Sequence, residues 1–360
     1  MAVGREDPGA APAAPPLRLT LAELAARVAA DPLDEPSVLH GQPLLLLEAG
    51  DPGRAAEPEA LAVLKARLPT LPCVIAAPAD PGAAGREALR EVADLLVSGH
   101  DELGRLAARV EAAPRAAVAL AQLLRLSERL DPERALLAES LTYAVLQAGP
   151  EFRRWLSTRP APTPLPDPAH RPGLRARRRG GLLELCFARP ERRNAYAADV
   201  RDALVEGLAL ALADRRIREV VLFGEGPCFS SGGDLAEFGT VPDAVTGHLV
   251  RCTRHPARLL LRLSERTEAR VHGACVGAGM ELAAFAGRVV AAEDAFFELP
   301  ELSFGLVPGA GGTVSLPRRI GRQATARLAL LGERIDARRA RALGLVDRIE
   351  SPASWVAPAG

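Results

Sequence analysis

The chain has 360 residues, 48% of them apolar and 25% charged, a globular composition with length enough for two domains. Lys plus Arg and Asp plus Glu each number 45, so the formal charge is zero; this excludes the cationic surplus that nucleic-acid or membrane-surface binding needs. Lys65 is the only lysine, so a Schiff-base mechanism would have to run through it.

Cys73, Cys186, Cys228, Cys252 and Cys275 are odd in number, widely spaced and free of any CxxC. That pattern predicts neither a disulfide framework nor a zinc site, and fits a reducing compartment, the cytoplasm. No apolar run reaches the roughly 18 residues of a membrane span. Residues 1–16 are rich in Ala, Pro and Gly, and read as a disordered tail rather than a signal peptide.

Residues 17–157 read as a mainly helical N-terminal module. Leu21, Leu24, Ala25 and Val28 form a helical stripe. Short buried strands are predicted at Pro43–Leu47 and Cys73–Ala77, with a helix over Pro58–Leu68 between them. Gly85 to Trp155 is helical in pattern almost throughout. Asp131-Pro132-Glu133 is a helix start and Gly149-Pro150 a stop. No motif in this module carries chemistry. Residues 158–173 then hold six prolines, which read as an extended linker.

Residues 174–360 alternate strand and helix. Strands are predicted at Gly181–Ala188, Ile217–Phe223, Arg270–His272 and Val289–Ala292. Helices are predicted around Val200, Leu204, Leu208 and Leu212, over Val241–Glu265 with Pro256 kinking or dividing it, and over Ala278–Ala286. The alternation implies a layered α/β domain with a largely parallel sheet.

Two glycine-rich turns follow strands in this half. One is Cys228-Phe229-Ser230-Ser231-Gly232-Gly233-Asp234-Leu235; the other is Gly273-Ala274-Cys275-Val276-Gly277-Ala278-Gly279-Met280-Glu281. Small residues let the backbone approach a ligand, and a helix start offers free N–H groups to negative charge. Leu282 breaks the GxGxxG pattern and no Walker sequence occurs, which disfavours a nucleotide site.

Taken with Arg189–Ala195, Leu299-Pro300-Glu301, Gly305–Thr313 and Ala342–Asp347, these turns stand in an order and spacing that resembles the enoyl-CoA hydratase/isomerase (crotonase) family. The resemblance implies stacked ββα units and an acyl-CoA thioester as substrate, with coenzyme A part of the substrate and no separate cofactor or metal. It implies that the backbone N–H groups of Gly233 and Ala278 hold the thioester oxygen as an enolate oxyanion. It places the hydratase glutamate pair at Glu281 and Glu301, which would add water across a 2,3-enoyl-CoA. Asn194, Ala195, Ser231, Asp234, Leu235 and Gly277 are the expected substrate-binding positions, and a homo-oligomer, trimer or hexamer, is expected. Spacing alone argues that Glu281, three residues past Ala278, projects near the oxyanion site. Its otherwise apolar helix also makes a solvated role the poorer reading.

Arg192 and Arg193 either meet CoA phosphates or are solvated. Asp234 reads as a cap, His272 as a hydrogen-bonded strand residue, and Cys228 and Cys275 as packing residues. Crotonases usually continue past the Gly344-Leu345-Val346 block with helices that cover the acyl-CoA site; here the sequence stops at Gly360, and helices within 101–157 are expected to supply that cover. The helical extension also resembles the dihydroxyphenylacetyl-CoA dioxygenase branch of the superfamily. Isomerase, dioxygenase and inactive scaffold therefore stand as alternatives to the hydratase.

Overall fold

A computed structural model describes residues 16–30, 36–48, 58–80, 86–159 and 172–355. The expected tail, except Pro16, and the expected linker, except its ends, lie outside these residues. The chain divides into two compact units after Pro114. The helices from Arg115 to Thr158 lie in the same unit as the α/β half. Helix periodicity shows which face is apolar, but not which neighbour that face meets.

In the first unit, strand β1 (Leu17–Thr20) leads into helix α1 (Leu21–Ala30), and β2 (Leu44–Glu48) into α2 (Pro58–Arg67). β3 (Val74–Pro78), α3 (Arg86–Val92), β4 (Leu95–Val97) and α4 (Gly99–Ala112) complete it. The strands form a parallel sheet in the order β1-β2-β3-β4. Leu24, Ala25 and Val28 of α1 are fully buried in its core with Leu45, Leu47 and Ile75, as their spacing predicts. β1 and β4 escaped the sequence reading because runs of three or four residues carry no usable period.

The second unit opens with α5 (Pro114–Ser127), α6 (Pro132–Gln147) and α7 (Pro150–Thr158). Asp131 caps α6 by accepting from Arg134 N at 3.1 Å. The chain then runs through β5 (Leu174–Arg179), β6 (Leu182–Phe187), α8 (Ala198–Ala213) and β7 (Glu219–Gly224). Next come α9 (Ala244–Thr253) and α10 (Pro256–Leu263), divided at Pro256 as its sequence predicts. β8 (Thr267–Val271), β9 (Ala274–Val276), α11 (Ala278–Ala283), β10 (Arg288–Ala291) and β11 (Phe296–Glu298) follow. The described chain closes with α12 (Gly312–Ile320), α13 (Arg322–Leu331), β12 (Ile335–Asp336), α14 (Ala337–Leu343) and β13 (Arg348–Ile349).

Six strands form the main sheet, ordered β13-β10-β8-β7-β6-β5, parallel throughout except for the β5–β6 hairpin. A second, three-stranded sheet is ordered β12-β11-β9. β8 in the first sheet is followed by β9 in the second and then α11. β10, β11 and α12 repeat that order, which is the stacked ββα pattern. β5 reads Leu-Arg-Ala-Arg-Arg-Arg and is exposed after its first residue; a charged edge strand has no apolar alternation to detect. No helix among the described residues is long and apolar enough to cross a membrane.

Candidate active site

The first glycine turn is held by a buried asparagine. Asn194 sits at φ 54°, left-handed backbone that asparagine tolerates better than most residues. Its Oδ1 accepts from Arg189 N at 2.9 Å, and its Nδ2 donates to the carbonyls of Glu225 and Cys228, both at 2.8 Å. Ser230 Oγ donates to the Asn194 carbonyl at 2.8 Å. Tyr196 then pairs alongside Gly233: Tyr196 N donates to Gly232 O and Asp234 N to Tyr196 O. This parallel pairing uses the Gly232 carbonyl and the Asp234 N–H and leaves the Gly233 N–H with no acceptor among the described residues.

The second turn links β9 to α11. Gly277, at φ 48°, donates its N–H to Glu298 O at 2.9 Å. Ala278 N is the first amide of α11, so it has no partner within the helix, and it meets none elsewhere among the described residues. The two turns touch. A Cβ added at Gly232 would lie 3.7 Å from Gly277 Cα, and one added at Gly277 would lie 3.7 Å from Gly232 Cα. The residues just ahead of the two free amides thus face each other across a gap that a single added carbon would span. Both have positive φ, so glycine is required at each. Ala278 is outside the positive-φ region, and its methyl is accommodated without strain.

Glu281 lies on α11 and Glu301 opens the short 3-10 turn after β11; both are buried. With Gly233 and Ala278 they line one cavity of about 430 Å³. Glu281 Oε2 accepts from Ala310 N at 2.7 Å and from Gly312 N at 2.8 Å. Glu301 Oε1 faces the Gly277 backbone: a Cβ there would lie 2.6 Å from it. Glu301 Oε2 is buried with no hydrogen-bond partner.

A third carboxylate lies behind this pair, and no motif in the sequence pointed to it. Glu139 of α6 is fully buried. It accepts from Gly311 N at 2.7 Å, Thr313 N at 3.0 Å and Thr313 Oγ1 at 2.6 Å. The available signal was a charge on the apolar face of α6, between Leu136 and Ala144, both buried. Tyr143, one turn further on, lines the cavity and packs against Gly309, where a Cβ would collide with its ring. Helix α7 adds Phe152 and Trp155, which cluster with Phe238 and Phe304; Trp155 lies 5.8 Å from Phe238 and 4.9 Å from Phe304, centroid to centroid. Phe238 itself lines the cavity. Helix α6, within the 101–157 stretch expected to supply cover, therefore lines the cavity through Tyr143 and Gln147, and α7 backs Phe238.

Burial pushes all three carboxyls up. Glu139 rises to about 7, against the pull of its Thr313 and Gly311 donors. Glu301 rises to about 8, with the charges of Glu139 and Glu298 adding to burial. Glu281 rises too, through burial and then the charges of Glu301 and Glu139, but its two amide donors favour its ionised form. Hydrogen bonding is what distinguishes the cavity pair: Glu281 is held by two backbone donors, whereas Glu301 keeps one oxygen unpartnered.

Among the other expected positions, Asp234 lines the cavity, pairs with Arg192 at 2.9 Å and accepts from Ala236 N at 3.0 Å. Arg192 is thus engaged by the chain itself, while Arg193 is exposed. Asn194, Ala195, Ser231, Leu235 and Gly277 do not line the cavity. Both polar ends of the Asn194 side chain are committed to backbone, and Leu235 is exposed. His272 meets Gly226 O at 2.9 Å, and Cys228 and Cys275 are buried packing residues whose thiols burial pushes up. No group of three metal-binding side chains occurs among the described residues.

Residues 177–357 match the family model for enoyl-CoA hydratase/isomerase. The chain is 37% identical over 171 residues to the 2,3-dehydroadipyl-CoA hydratase of Escherichia coli (strain K12), covering 47% of this chain and 65% of that protein. It is 32% identical over 178 residues to the enoyl-CoA isomerase/hydratase fer4 of Mycosarcoma maydis, again covering 47% of this chain and 65% of the relative. A solved enoyl-CoA hydratase/isomerase from Mycobacterium paratuberculosis aligns over 51% of this chain and 76% of its own, at 29% identity and a TM-score of 0.48. The chain thus spans less than two thirds of these curated relatives, and its matched half, which carries Gly233, Ala278, Glu281 and Glu301, belongs to the enoyl-CoA hydratase/isomerase family.

Proposed function

We propose that the protein hydrates a 2,3-enoyl-CoA. The observation that carries this reading is that two unpartnered backbone amides, at Gly233 and Ala278, and two buried carboxyls, Glu281 and Glu301, line the same cavity. The thioester oxygen accepts from both amides, which stabilise it as negative charge develops; one such donor is worth on the order of 10²–10³ in rate. Glu281, fixed by Ala310 and Gly312, takes a proton from water as the water oxygen bonds to C3. Glu301 gives its proton to C2. The carbon–carbon π pair becomes the enolate pair and then the C2–H bond. Return of the proton from Glu281 to Glu301 restores the starting state. Addition is syn if both carboxyls flank one face of the enoyl group.

Coenzyme A enters as part of the substrate. The cysteines are all free, which supports a reducing compartment, and we place the protein in the cytoplasm as a homo-oligomer on the family resemblance. The test is purified protein with crotonyl-CoA. Enoyl absorbance falls on hydration, and Glu301→Gln slows the fall by about 10²–10⁴. Product with a shifted double bond would instead indicate isomerisation, and oxygen uptake with an aryl-acetyl-CoA the dioxygenase. No turnover of any thioester would leave a scaffold.

A further inference from the structure

We propose that the Arg251 guanidinium and the His255 imidazole form a subsite for a carboxylate carried by the acyl chain of the substrate. The proposal rests on the hydration reading for the thioester end and deepens it by naming the class of acyl group.

Both residues line the same cavity as Glu281 and Glu301. Arg251, on α9, lies over the Tyr143 ring, 4.6 Å from its centroid. Its Nε donates to Ser140 Oγ at 3.1 Å; its Nη2 reaches Ser140 O at 3.4 Å and Gln147 Oε1 at 3.5 Å. All of these acceptors are neutral. Its Nη1 meets no acceptor, and no carboxylate among the described residues lies within ion-pair distance of Arg251. The other arginines of the cavity are already matched. Arg201 grips Asp202 at 2.9 and 3.1 Å, and Arg254 faces Asp202 and Glu206. Asp234 and Glu237, acids of the same lining, are engaged by Arg192 and by Ala198 N. Glu139 acts on Arg251 only from beyond ion-pair distance, its oxygens held by Gly311 and Thr313; a half-buried guanidinium with no carboxylate in contact is costly, and a planar carboxylate fits its fork.

His255 supplies the second, independent observation. It is 7% exposed, and neither ring nitrogen has a partner. Buried polar atoms are nearly always bonded, so an imidazole of the cavity lining with both nitrogens buried and orphaned is an unmet hydrogen-bonding group beside the ligand space. Burial and the charges of Arg258, Arg251 and Arg201 push its pKa down to about 3, so the ring is neutral and offers one N–H. A hydrocarbon acyl end would leave both groups unsatisfied. A coenzyme A phosphate could answer the same charge, but would bring a more highly charged anion into the cavity of Glu281 and Glu301; the carboxylate is the better match.

The test uses a homologous series of 2-enoyl-CoA thioesters ending in methyl or in carboxylate, with the full chain and its Arg251→Gln and His255→Phe variants. In the wild type, kcat/KM for the best carboxylate-ended member exceeds that of its methyl-ended partner at least tenfold, and the ratio falls toward one in both variants. Because Arg251 also ties α9 to α6, Arg251→Lys serves as a second variant, keeping the charge and part of the preference. Equal kcat/KM for both ends in the wild type would overturn the subsite while leaving hydration intact. Absence of all turnover would refute the hydration reading instead. The subsite is then judged by calorimetric binding of saturated acyl-CoAs: tighter binding of the carboxylate-ended one, lost in Arg251→Gln, upholds it, and equal binding overturns it. Free coenzyme A completes the set; if Arg251→Gln weakens it as much as it weakens the carboxylate-ended thioester, Arg251 serves a phosphate and the proposal fails.

Discussion

Glu281 and Glu139 hold alternate amides of a single turn. Ala310 N and Gly312 N donate to Glu281, while Gly311 N and Thr313 N donate to Glu139. One carboxylate comes from α11 in the family-matched half, and the other from α6, outside it. The turn cannot shift toward one without leaving the other's donors unpaired, so Glu139 fixes the position of Glu281 through four consecutive peptide groups.

That linkage makes Glu139 a positioning residue. In Glu139→Gln, kcat for enoyl-CoA hydration is expected to fall about tenfold to a hundredfold with KM nearly unchanged, because a misplacement near 1 Å costs about that much. The Glu139 charge also helps to raise Glu301, so its removal moves the alkaline limb of the pH–rate profile to lower pH. A purely structural role would lower the amount of folded enzyme and leave the limb in place.

Gly277 combines a positive φ with a carboxyl oxygen where a Cβ would fall. Gly277→Ala is expected to cost roughly 1–2 kcal/mol in urea unfolding through the backbone alone. It should also displace Glu301 and the adjoining Ala278 amide, lowering kcat by more than about a hundredfold. An active Gly277→Ala enzyme would show that neither group needs its observed place.

Asn194 has a structural task, and its replacement separates stability from chemistry. Asn194→Ala leaves Arg189 N and the Glu225 and Cys228 carbonyls without their buried partner, at a cost of roughly 2–4 kcal/mol in chemical denaturation. A loss within experimental error would mean that the turn holds itself.

Stability should depend on pH in a defined direction. Glu301 and Glu139 have folded-state pKa values raised from 4.5 to about 8 and about 7. Their unfolded forms therefore release protons first as pH rises. The contribution of the buried, protonated carboxyls is full below about pH 4.5 and is lost by about pH 8. Denaturation midpoints should fall across that window in the wild type and fall less in Glu301→Gln. Identical slopes for the two proteins would contradict the raised value for Glu301.

Much of this was legible in the sequence for identifiable reasons. The parallel-sheet alternation, the break at Pro256 and the two glycine turns all rest on local constraints: period, missing N–H groups and positive φ. Residues 233, 278, 281 and 301 could be named because family motifs carry them, and they do line one cavity. Glu139 and Arg251 could not, because each acquires its meaning from a partner more than a hundred residues away. The unit boundary after Pro114 was not legible for the same reason. A run of prolines in the sequence says nothing about which unit α5–α7 belong to. Asn194, Ser231 and Leu235 were expected at the substrate; the polar atoms of Asn194 point into the turn itself, and none of the three lines the cavity.

The most direct test of the central claim is hydration of crotonyl-CoA in D₂O, followed by the position of deuterium in the product, for wild type, Glu281→Gln and Glu301→Gln. One deuterium at C2 is expected in the wild type, with both variants slowed by about 10²–10⁴. Glu301→Gln, and not Glu281→Gln, is expected to abolish exchange of the C2 proton in the hydrated product. Full-rate hydration or undiminished C2 exchange in Glu301→Gln would contradict that claim.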